Sequence, residues 1–502
     1  MSYLLGIDIG TSSAKAVVCD ERGRVAGEGS AAYPLFSPRP GWNEQDPADW
    51  WKGTVKAVRG AMRSARARGD SIVGVGLSGQ MHGAVFLDAR DRPLGRAILW
   101  NDQRTGKQCA EITARAGGLD GLVALVNNAA LPGFTAPKIV WLREANPPRF
   151  ARVRKVLLPK DFIRLVMTGE HATDVADASG TLLLDVATRR WNRTLLDLLK
   201  IDEAILPPLL ESSQVAGKLR PAAAAMLGIR PGTPVVAGAG DQPAGAVGMG
   251  VVWPGTVSAT IGTSGVVFAH SDTVVPNPGG VLQSFCHAVS GKWCVFGCML
   301  SAGASLEWAR GVLYPARKPS FDAMMAEAAG APPGARGLFF LPYLDGERCP
   351  HPDPNARACW IGLSRLHGRA DMIRAVVEGV TFGMADQMLL MRELGVRPGE
   401  VRLGGGGAKS AFWRQLQADI YGVPTVRVET ENASALGAAL LAGVGAGVWK
   451  AIEDACAAAV RPKEKRRPRP KLAAFYAERH HEYRRLYPAL RERLEGLAAV
   501  GR

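Results

Sequence analysis

The sequence has few of the signatures that settle a function at once. Its eight cysteines are scattered. Only Cys294 and Cys298 lie near each other, and no Cys-x-x-Cys pair occurs. That argues against a disulfide frame or a zinc site and for reduced thiols in a cytoplasm. No apolar run reaches membrane-spanning length without glycine, proline or charge. The first residues, MSYLLGIDIG, lack the positive flank and long apolar stretch of a secretory signal, so neither export nor a membrane partner is expected. The eight histidines show no metal-ligand spacing, and no serine or cysteine sits in a nucleophile elbow. A Walker A loop is also missing: LGGGGAKS, residues 403–410, has four glycines without the Gly-Lys-Ser/Thr order or a dinucleotide fingerprint's spacing. Acidic residues are the scarcer sign, 46 against 61 Lys and Arg, for a net charge of +15. The bases are nevertheless spread along the chain. The one dense run, RPKEKRRPRP at 461–470, is broken by proline and reads as a solvated segment, so nucleic acid is not an expected partner. A basic surface also suits anionic small molecules such as nucleotides.

What is present points to a duplicated α/β protein. With 502 residues, 47% of them hydrophobic, the chain is long enough for two or more cores. GIDIGTSSAKAVV at 6–18 and SATIGTSGVVFAH at 258–270 share Ile-Gly-Thr-Ser, at 9–12 and 261–264. Each copy has apolar residues before the glycine and a β-branched or Ala-rich run after it, the pattern of strand, tight turn, strand. The second copy begins almost halfway along, where a duplication would place it. AMRSARARG (61–69) reads as an exposed helix leading into a strand at Ile72. TPVVAGAGDQPAGAVG (233–248) reads as strand, glycine turn and closely packed small residues. VRLGGGGAKSAFWRQLQADIYG (401–422) reads as strand, glycine loop and amphipathic helix with Phe412, Leu416 and Ile420 on one face. A terminal helix is expected from about Leu472. The domain boundary is expected near Gly248, giving residues 1–248 and 249–502.

Several residues could carry chemistry, each with a plainer alternative. Asp8 interrupts an apolar strand two residues before the first turn, which is costly unless it is paired or ligates a cation. The turn offers backbone N–H groups and the Thr11, Ser12 and Ser13 hydroxyls as a phosphate cradle, with Lys15 nearby. It is equally an ordinary tight turn until the second copy at 262–264 is weighed; two such turns across a cleft favour gripping a polyphosphate. Asp241 in GAGDQPAG reads locally as an N-cap, with Pro243 in the first helical turn. Its second reading is a general base at the mouth of a cleft. The 403–410 loop could lie against a nucleotide or merely pack. Tryptophans 42, 50, 51, 100 and 141 suit a core, although Glu44, Gln45 and Asp46 beside Trp42 form a mixture suited to a polyol. In LSGQMHGAV (77–85), composition favours Met81 as core and His82 as its incidental neighbour.

Together these residues resemble the FGGY carbohydrate kinases over nearly the whole chain. GFTAPKIVWLREA (133–145) resembles the family's N-terminal signature, with Ala145 where a polar residue is usual. ACWIGLSRLHGRADMIRAVVE (358–378) resembles the C-terminal one. GQMHGAV, EQDPADWW, ILWNDQRT, PGFTAPK, LLPKDF and SFCHA are similar to members that act on D-xylulose. Members that act on glycerol carry Arg-Glu where this chain has Met81-His82. The resemblance implies two duplicated ribonuclease-H-like domains of the actin-like ATPase type around a central cleft. It also implies ATP-dependent phosphorylation of D-xylulose at its 5-hydroxyl by a cytoplasmic enzyme, and it suggests a homodimer. It makes Asp241 the catalytic base and Asp8 the carboxylate that helps hold Mg²⁺. Met81, His82, Asp241, Gln242 and Trp42 become sugar contacts, and Thr11, Ser12, Gly262 and Thr263 phosphate contacts. Gly405, Gly406 and Ala408 lie under the adenosine. Gln242 and Pro243 depart from the Asn and small residue usual after the base, and Cys349 from the threonine of GERTP. The remaining alternatives are a kinase for another ketopentose or polyol, an actin-like ATPase that signals to a partner, and a sugar sensor.

Overall fold

Each Ile-Gly-Thr-Ser stretch closes a hairpin, and each hairpin seeds a sheet, in a computed structural model that describes residues 2–428, 430 and 432–500. In the first half β1 (Tyr3–Ile9) and β2 (Ser13–Asp20) pair antiparallel, and β3 (Val25–Ala32) extends them. On the other side of β1 lies β4 (Ile72–Gly79), parallel to it. β5 (Val215–Lys218), β6 (Pro234–Val236) and β7 (Ala239–Gly240) complete the sheet, in the order β5-β6-β4-β1-β2-β3 with β7 also on β4.

The second sheet uses β8 (Thr256–Ile261), β9 (Gly265–Ser271), β10 (Gln283–Cys286), β11 (Trp293–Met299), β12 (Glu400–Gly405), β13 (Thr425–Val428) and β14 (Pro462–Arg466). Its order is β10-β11-β9-β8-β12-β13-β14. Read from the other edge, β14-β13-β12-β8-β9-β11 repeats β5-β6-β4-β1-β2-β3 strand for strand. The parallel and antiparallel pairings repeat with it. The duplication is therefore one of topology as well as of a tetrapeptide. The basic segment is solvated as expected, but it is also a strand: β14 is exposed and paired to β13, with Lys465 on Glu400 at 2.9 Å and Glu464 on Arg414 at 2.6 Å.

Helices cover the sheets, so the central strands are buried on both faces and read as continuous apolar runs. α1 (Pro47–Ala65) starts at Asp46, whose side chain accepts from Ala48 N–H, and ends where Arg66 turns left-handed at φ 51°. α2 (Thr135–Ala145), α3 (Asp241–Gly248), α4 (Gly303–Leu313), α5 (Ala411–Tyr421), α6 (Ala433–Gly445) and α7 (Pro470–Val500) are the other helices needed here. α6 lies far along the chain yet packs on the first sheet. A Cβ on Gly6 would sit 1.8 Å from the Ala435 carbonyl oxygen, and one on Gly76 1.9 Å from that of Ala438. α6 also meets α3 backbone to backbone, with Gly437 against Ala244 and Gly248 against Ala433.

The halves meet in an apolar cluster where Met81, Phe134 and Leu182 touch Phe268, Phe285 and Phe296, and smaller clusters beside it also cross between them. Polar ties run beside it: Asn128 exchanges hydrogen bonds with the Ser284 backbone at 2.8 and 3.0 Å, and Ser179 accepts from Cys286 N–H at 3.0 Å. Among the described residues no helix is long and apolar enough to cross a membrane.

Candidate active site

The two turns are built alike. In the first, the Gly10 carbonyl accepts from the Tyr33 hydroxyl, Thr11 from Gln45 Nε2 at 2.6 Å, and Ser12 from Tyr33 N–H at 3.3 Å. In the second, Gly262 accepts from Gly303 N–H at 2.9 Å, and Thr263 from the amides of Ala302 and Ala304 at 3.0 and 3.1 Å. Each turn's carbonyls are thus drawn back into the protein. The N–H groups of Thr11, Ser12, Thr263 and Ser264 find no acceptor among the described residues. Successive free amides of this kind make an anion-binding concavity. Ser12 is exposed, whereas Thr11 is half-buried and its hydroxyl accepts from Trp100 Nε1 at 2.9 Å.

Strand register brings the two acids together. Asp8 lies opposite Ser78, and Ala239 flanks Ser78 from β4's other side, so Asp8 and Asp241 stand at the carboxyl ends of the two strands that flank β4 in parallel. Ser78 Oγ donates to Asp8 Oδ1 at 3.0 Å. Burial raises the Asp8 pKa, opposed by that hydrogen bond and by Lys15. Asp241 keeps one side open to the cleft, but the protein mass around it and then the Asp8 charge lift its pKa to about 7. The local expectation of an N-cap is corrected. Gly240 is the cap residue and Asp241 the first residue of α3, with Pro243 in the first turn. The Gln242 amide and side chain both lower the Asp241 pKa against the effect of burial, so Gln242 favours the charged acid.

A divalent cation fits the chemistry of this corner. Asp8 Oδ2 takes no hydrogen bond among the described residues, and the mutual repulsion of two carboxylates favours a shared positive charge. No cluster of three or more Asp, Glu, His or Cys could close a cage among those residues. That suits Mg²⁺, which binds through one or two carboxylates and completes its shell with water and phosphate oxygens.

Met81 and His82 adjoin the same corner. A Cβ on Gly240 would lie 2.6 Å from Met81 Cγ, so Met81 packs directly on the residue before Asp241. His82 has a left-handed backbone, φ 68°, which costs a non-glycine residue roughly 1–2 kcal/mol. Its Nδ1 contacts the Gly180 carbonyl at 2.7 Å, and its ring packs on Phe134 with centroids 4.6 Å apart. Burial pushes the ring's pKa down to about 3, so the imidazole is neutral. Nδ1 must then carry the proton it gives to Gly180, which leaves Nε2 an acceptor. No protein group among the described residues donates to that nitrogen.

Across the cleft a cavity of about 1130 Å³ opens between the second turn and the glycine loop. Five of the seven expected ATP contacts line it: Gly262, Thr263, Gly405, Gly406 and Ala408. Thr11 and Ser12, on the first sheet's turn, do not. The parallel register Thr260–Gly404 and Ile261–Gly405 places the glycine loop beside the turn. Gly405 has φ 71°, and a Cβ there would come 2.4 Å from the Ile261 carbonyl.

Trp308, Phe321 and Met325 form an apolar wall that the sequence reading missed. Its signal was the helix after β11, whose Trp308 the fold leaves 36% exposed. Arg348 was missed too. It is half-buried, lies close enough to His82 and Cys298 to disfavour the imidazolium and favour the thiolate, and has no ion-pair partner among the described residues. Glu347 Oε1 anchors this loop by accepting from the amides of Leu300 and Arg348, and burial lifts its pKa to about 8.

Trp42 and its polar neighbours are mostly committed to the protein. The Trp42 ring carries the Arg104 guanidinium at 3.7 Å and meets Trp141 edge-on. Glu44 pairs with Arg104 at 2.9 Å, Gln45 bridges Thr11, Trp50 and Gln80, and Asp46 caps α1.

Comparison with known proteins follows the same division. Residues 3–248 match the model of the FGGY family of carbohydrate kinases, N-terminal domain, and residues 257–446 that of the C-terminal domain. The chain is 40% identical over 487 residues to the xylulose kinase of Escherichia coli (strain K12), covering 97% of this chain and 99% of that protein. It is 37% identical over 489 residues to the xylulose kinase of Bacillus subtilis (strain 168), covering 97% and 95%. Among solved structures, a xyloylose kinase from Brucella ovis superposes with TM-score 0.90 at 38% identity, covering 98% and 99% of the two chains. A gluconate kinase from Lactobacillus acidophilus does so with TM-score 0.91 at 29% identity, covering 97% and 98%.

Proposed function

Since the chain belongs to the FGGY family of carbohydrate kinases, we propose that it transfers the γ-phosphoryl group of ATP to the 5-hydroxyl of D-xylulose, giving D-xylulose 5-phosphate and ADP. The observation that carries this reading is Asp241, lifted to about 7 beside Asp8 at the strand ends next to an amide-lined turn. A base with that pKa is matched to taking a hydroxyl proton near neutral pH. Met81 packs the sugar's carbon chain, and His82 Nε2 accepts from one of its hydroxyls. The nucleotide lies in the 1130 Å³ cavity, its base against Trp308 and Phe321 and its phosphates on Gly262 and Thr263. Thr11 and Ser12 meet the transferring group from the opposite hairpin. Residues 1–248 then supply the sugar site and base, and 249–502 the nucleotide site.

The protein's part in the reaction is positioning and charge neutralisation. Asp241 accepts the 5-hydroxyl proton as that oxygen bonds to phosphorus and the bond to the β-phosphate oxygen breaks. Closure of the halves about their shared aromatic seam excludes water and brings the two turns to bear on the phosphate. Asp8 would hold Mg²⁺, which when bound offsets the charge of the phosphate oxygens. The eight free thiols suit a cytoplasmic site of action.

The test is ADP release from ATP-Mg²⁺ across D-xylulose, D- and L-ribulose, L-xylulose, glycerol and gluconate. D-Xylulose should give the highest kcat/KM, and a better rate with another sugar would replace the substrate while leaving the chemistry. Asp241→Asn should lower kcat about 10³-fold or more while ATP still binds; near-normal turnover would remove it as the base. Hydrolysis of ATP independent of every sugar would favour an ATPase instead.

A further inference from the structure

Lys138 has a place that the reaction so far leaves unexplained. Its side chain is fully buried, and it pairs with no carboxylate among the described residues. Nζ instead donates to two main-chain carbonyls, His82 at 2.8 Å and Gly133 at 2.5 Å. Burial lowers its pKa to about 7, so an ammonium is an expensive choice for satisfying two carbonyls. The His82 carbonyl also accepts from Thr135 Oγ1 at 3.1 Å, and Phe134 packs on the His82 ring. The stretch Phe134, Thr135 and Lys138 thus surrounds one residue, ring and carbonyl together. That residue is the one beside the Asp241 corner with a left-handed backbone.

We propose that Lys138 is a positioning residue for sugar recognition: it grips the His82 carbonyl and so holds the strained backbone that delivers the imidazole to Gly180 with Nε2 unclaimed. The grip is rigid because its second anchor is rigid. Gly133 packs so closely on Trp100 that a Cβ would lie 2.4 Å from the Trp100 carbonyl, and Trp100 Nε1 in turn donates to Thr11 Oγ1. Lys138 therefore braces His82 against the segment that supports the first phosphate turn. Without the ammonium the 82–83 peptide keeps only the Thr135 hydroxyl on its carbonyl and the Gly83 N–H bond to the Met81 carbonyl at 2.8 Å, and the ring is held less firmly in its place. A neutral donor such as Thr135 gives a weaker hold on the same oxygen.

The proposal rests on His82 being a sugar contact, and a double-mutant cycle separates the two ideas. Steady-state kinetics are compared for wild type, K138M, T135V, H82A and H82A/K138M, using whichever panel sugar the wild type phosphorylates best. K138M is expected to raise the sugar KM about tenfold or more, leave the ATP KM within about twofold, and add less than about twofold in the H82A background. T135V should shift the sugar KM in the same direction by less. If K138M raises the sugar KM as much without His82 as with it, or leaves it unchanged, Lys138 is not acting through His82. If H82A itself leaves the sugar KM unchanged, the sugar-contact reading fails first. Should K138M not fold, the T135V and H82A/T135V pair decides on the same criterion, and additive effects there overturn the proposal.

Discussion

A carboxylate that is to take a proton near neutral pH must be made basic, and at Asp241 burial and the neighbouring Asp8 charge do this together. kcat/KM for the sugar should therefore rise about tenfold per pH unit below about 7 and level off above it. His82, lowered to about 3, adds no limb in that range. A profile flat from pH 5.5 to 8 would separate Asp241 from proton transfer. The same shift predicts a stability effect of definite sign. Asp241 holds a proton in the folded state that the unfolded chain has already lost at its ordinary value of 3.8. Between about pH 4 and 7 the folded state therefore binds more protons, and stability falls as pH rises. Asp241→Asn removes this penalty and should unfold at a higher temperature than wild type at pH 8 with EDTA present. The gain is ~1–2 kcal/mol once its open side is discounted, and it should vanish by about pH 4. A variant less stable at pH 8 would mean that the support Gln242 gives the carboxylate outweighs its burial.

At the scale of elements, the hairpins were legible because alternating apolar residues around Gly-Thr-Ser encode a turn with short-range information alone. The helix after the 404–407 glycines was legible for the same reason: Leu416 and Ile420 fall on its buried face with Phe412 half-buried beside them. What could not be read depended on partners distant in sequence. β14 looked like a solvated basic run because its hydrogen bonds go to β13, and only the fold brings Glu400 and Arg414 to Lys465 and Glu464. Asp241 looked like a cap because its neighbours Asp8 and Met81 are invisible locally. The role of α6 was hidden most completely. Gly6 and Gly76 have no room for a side chain because the Ala435 and Ala438 carbonyls of α6 press on them. Gly76→Ala should accordingly destabilise the protein by about 1–3 kcal/mol or more, seen as a lower urea midpoint at unchanged m. Gly106→Ala, whose Cβ would meet nothing within 4 Å, is the control and should be close to neutral. Equal midpoints for the two variants would show that α6 does not press on β4.

The whole molecule is two copies of one sheet, but it is not two independent halves. The amide-lined turn, the parallel strand after it and the antiparallel edge recur in both sheets. The copies differ where their tasks differ, with Asp8 and Asp241 beside the first and the large cavity beside the second. Between them the chain is sewn together by the aromatic seam of Phe134, Phe285 and Phe296 and by α6 lying across β1, β4 and α3. Domains normally separate where few contacts cross, and here α6, far along the chain, packs on the first sheet and on α3. A fragment of residues 1–248 would expose the face of β1 and β4 that α6 covers, along with Met81, Phe134 and Leu182 from the seam. That fragment should be aggregation-prone and lack a cooperative unfolding transition. The same fragment joined through a flexible linker to residues 432–447 should recover part of one, because α6 restores the larger of the two missing contacts. Circular dichroism melts of the two fragments decide the matter. A cooperative melt of 1–248 alone would mean that α6 only rests on a sheet already stable, and that the halves can move as freely as separate domains.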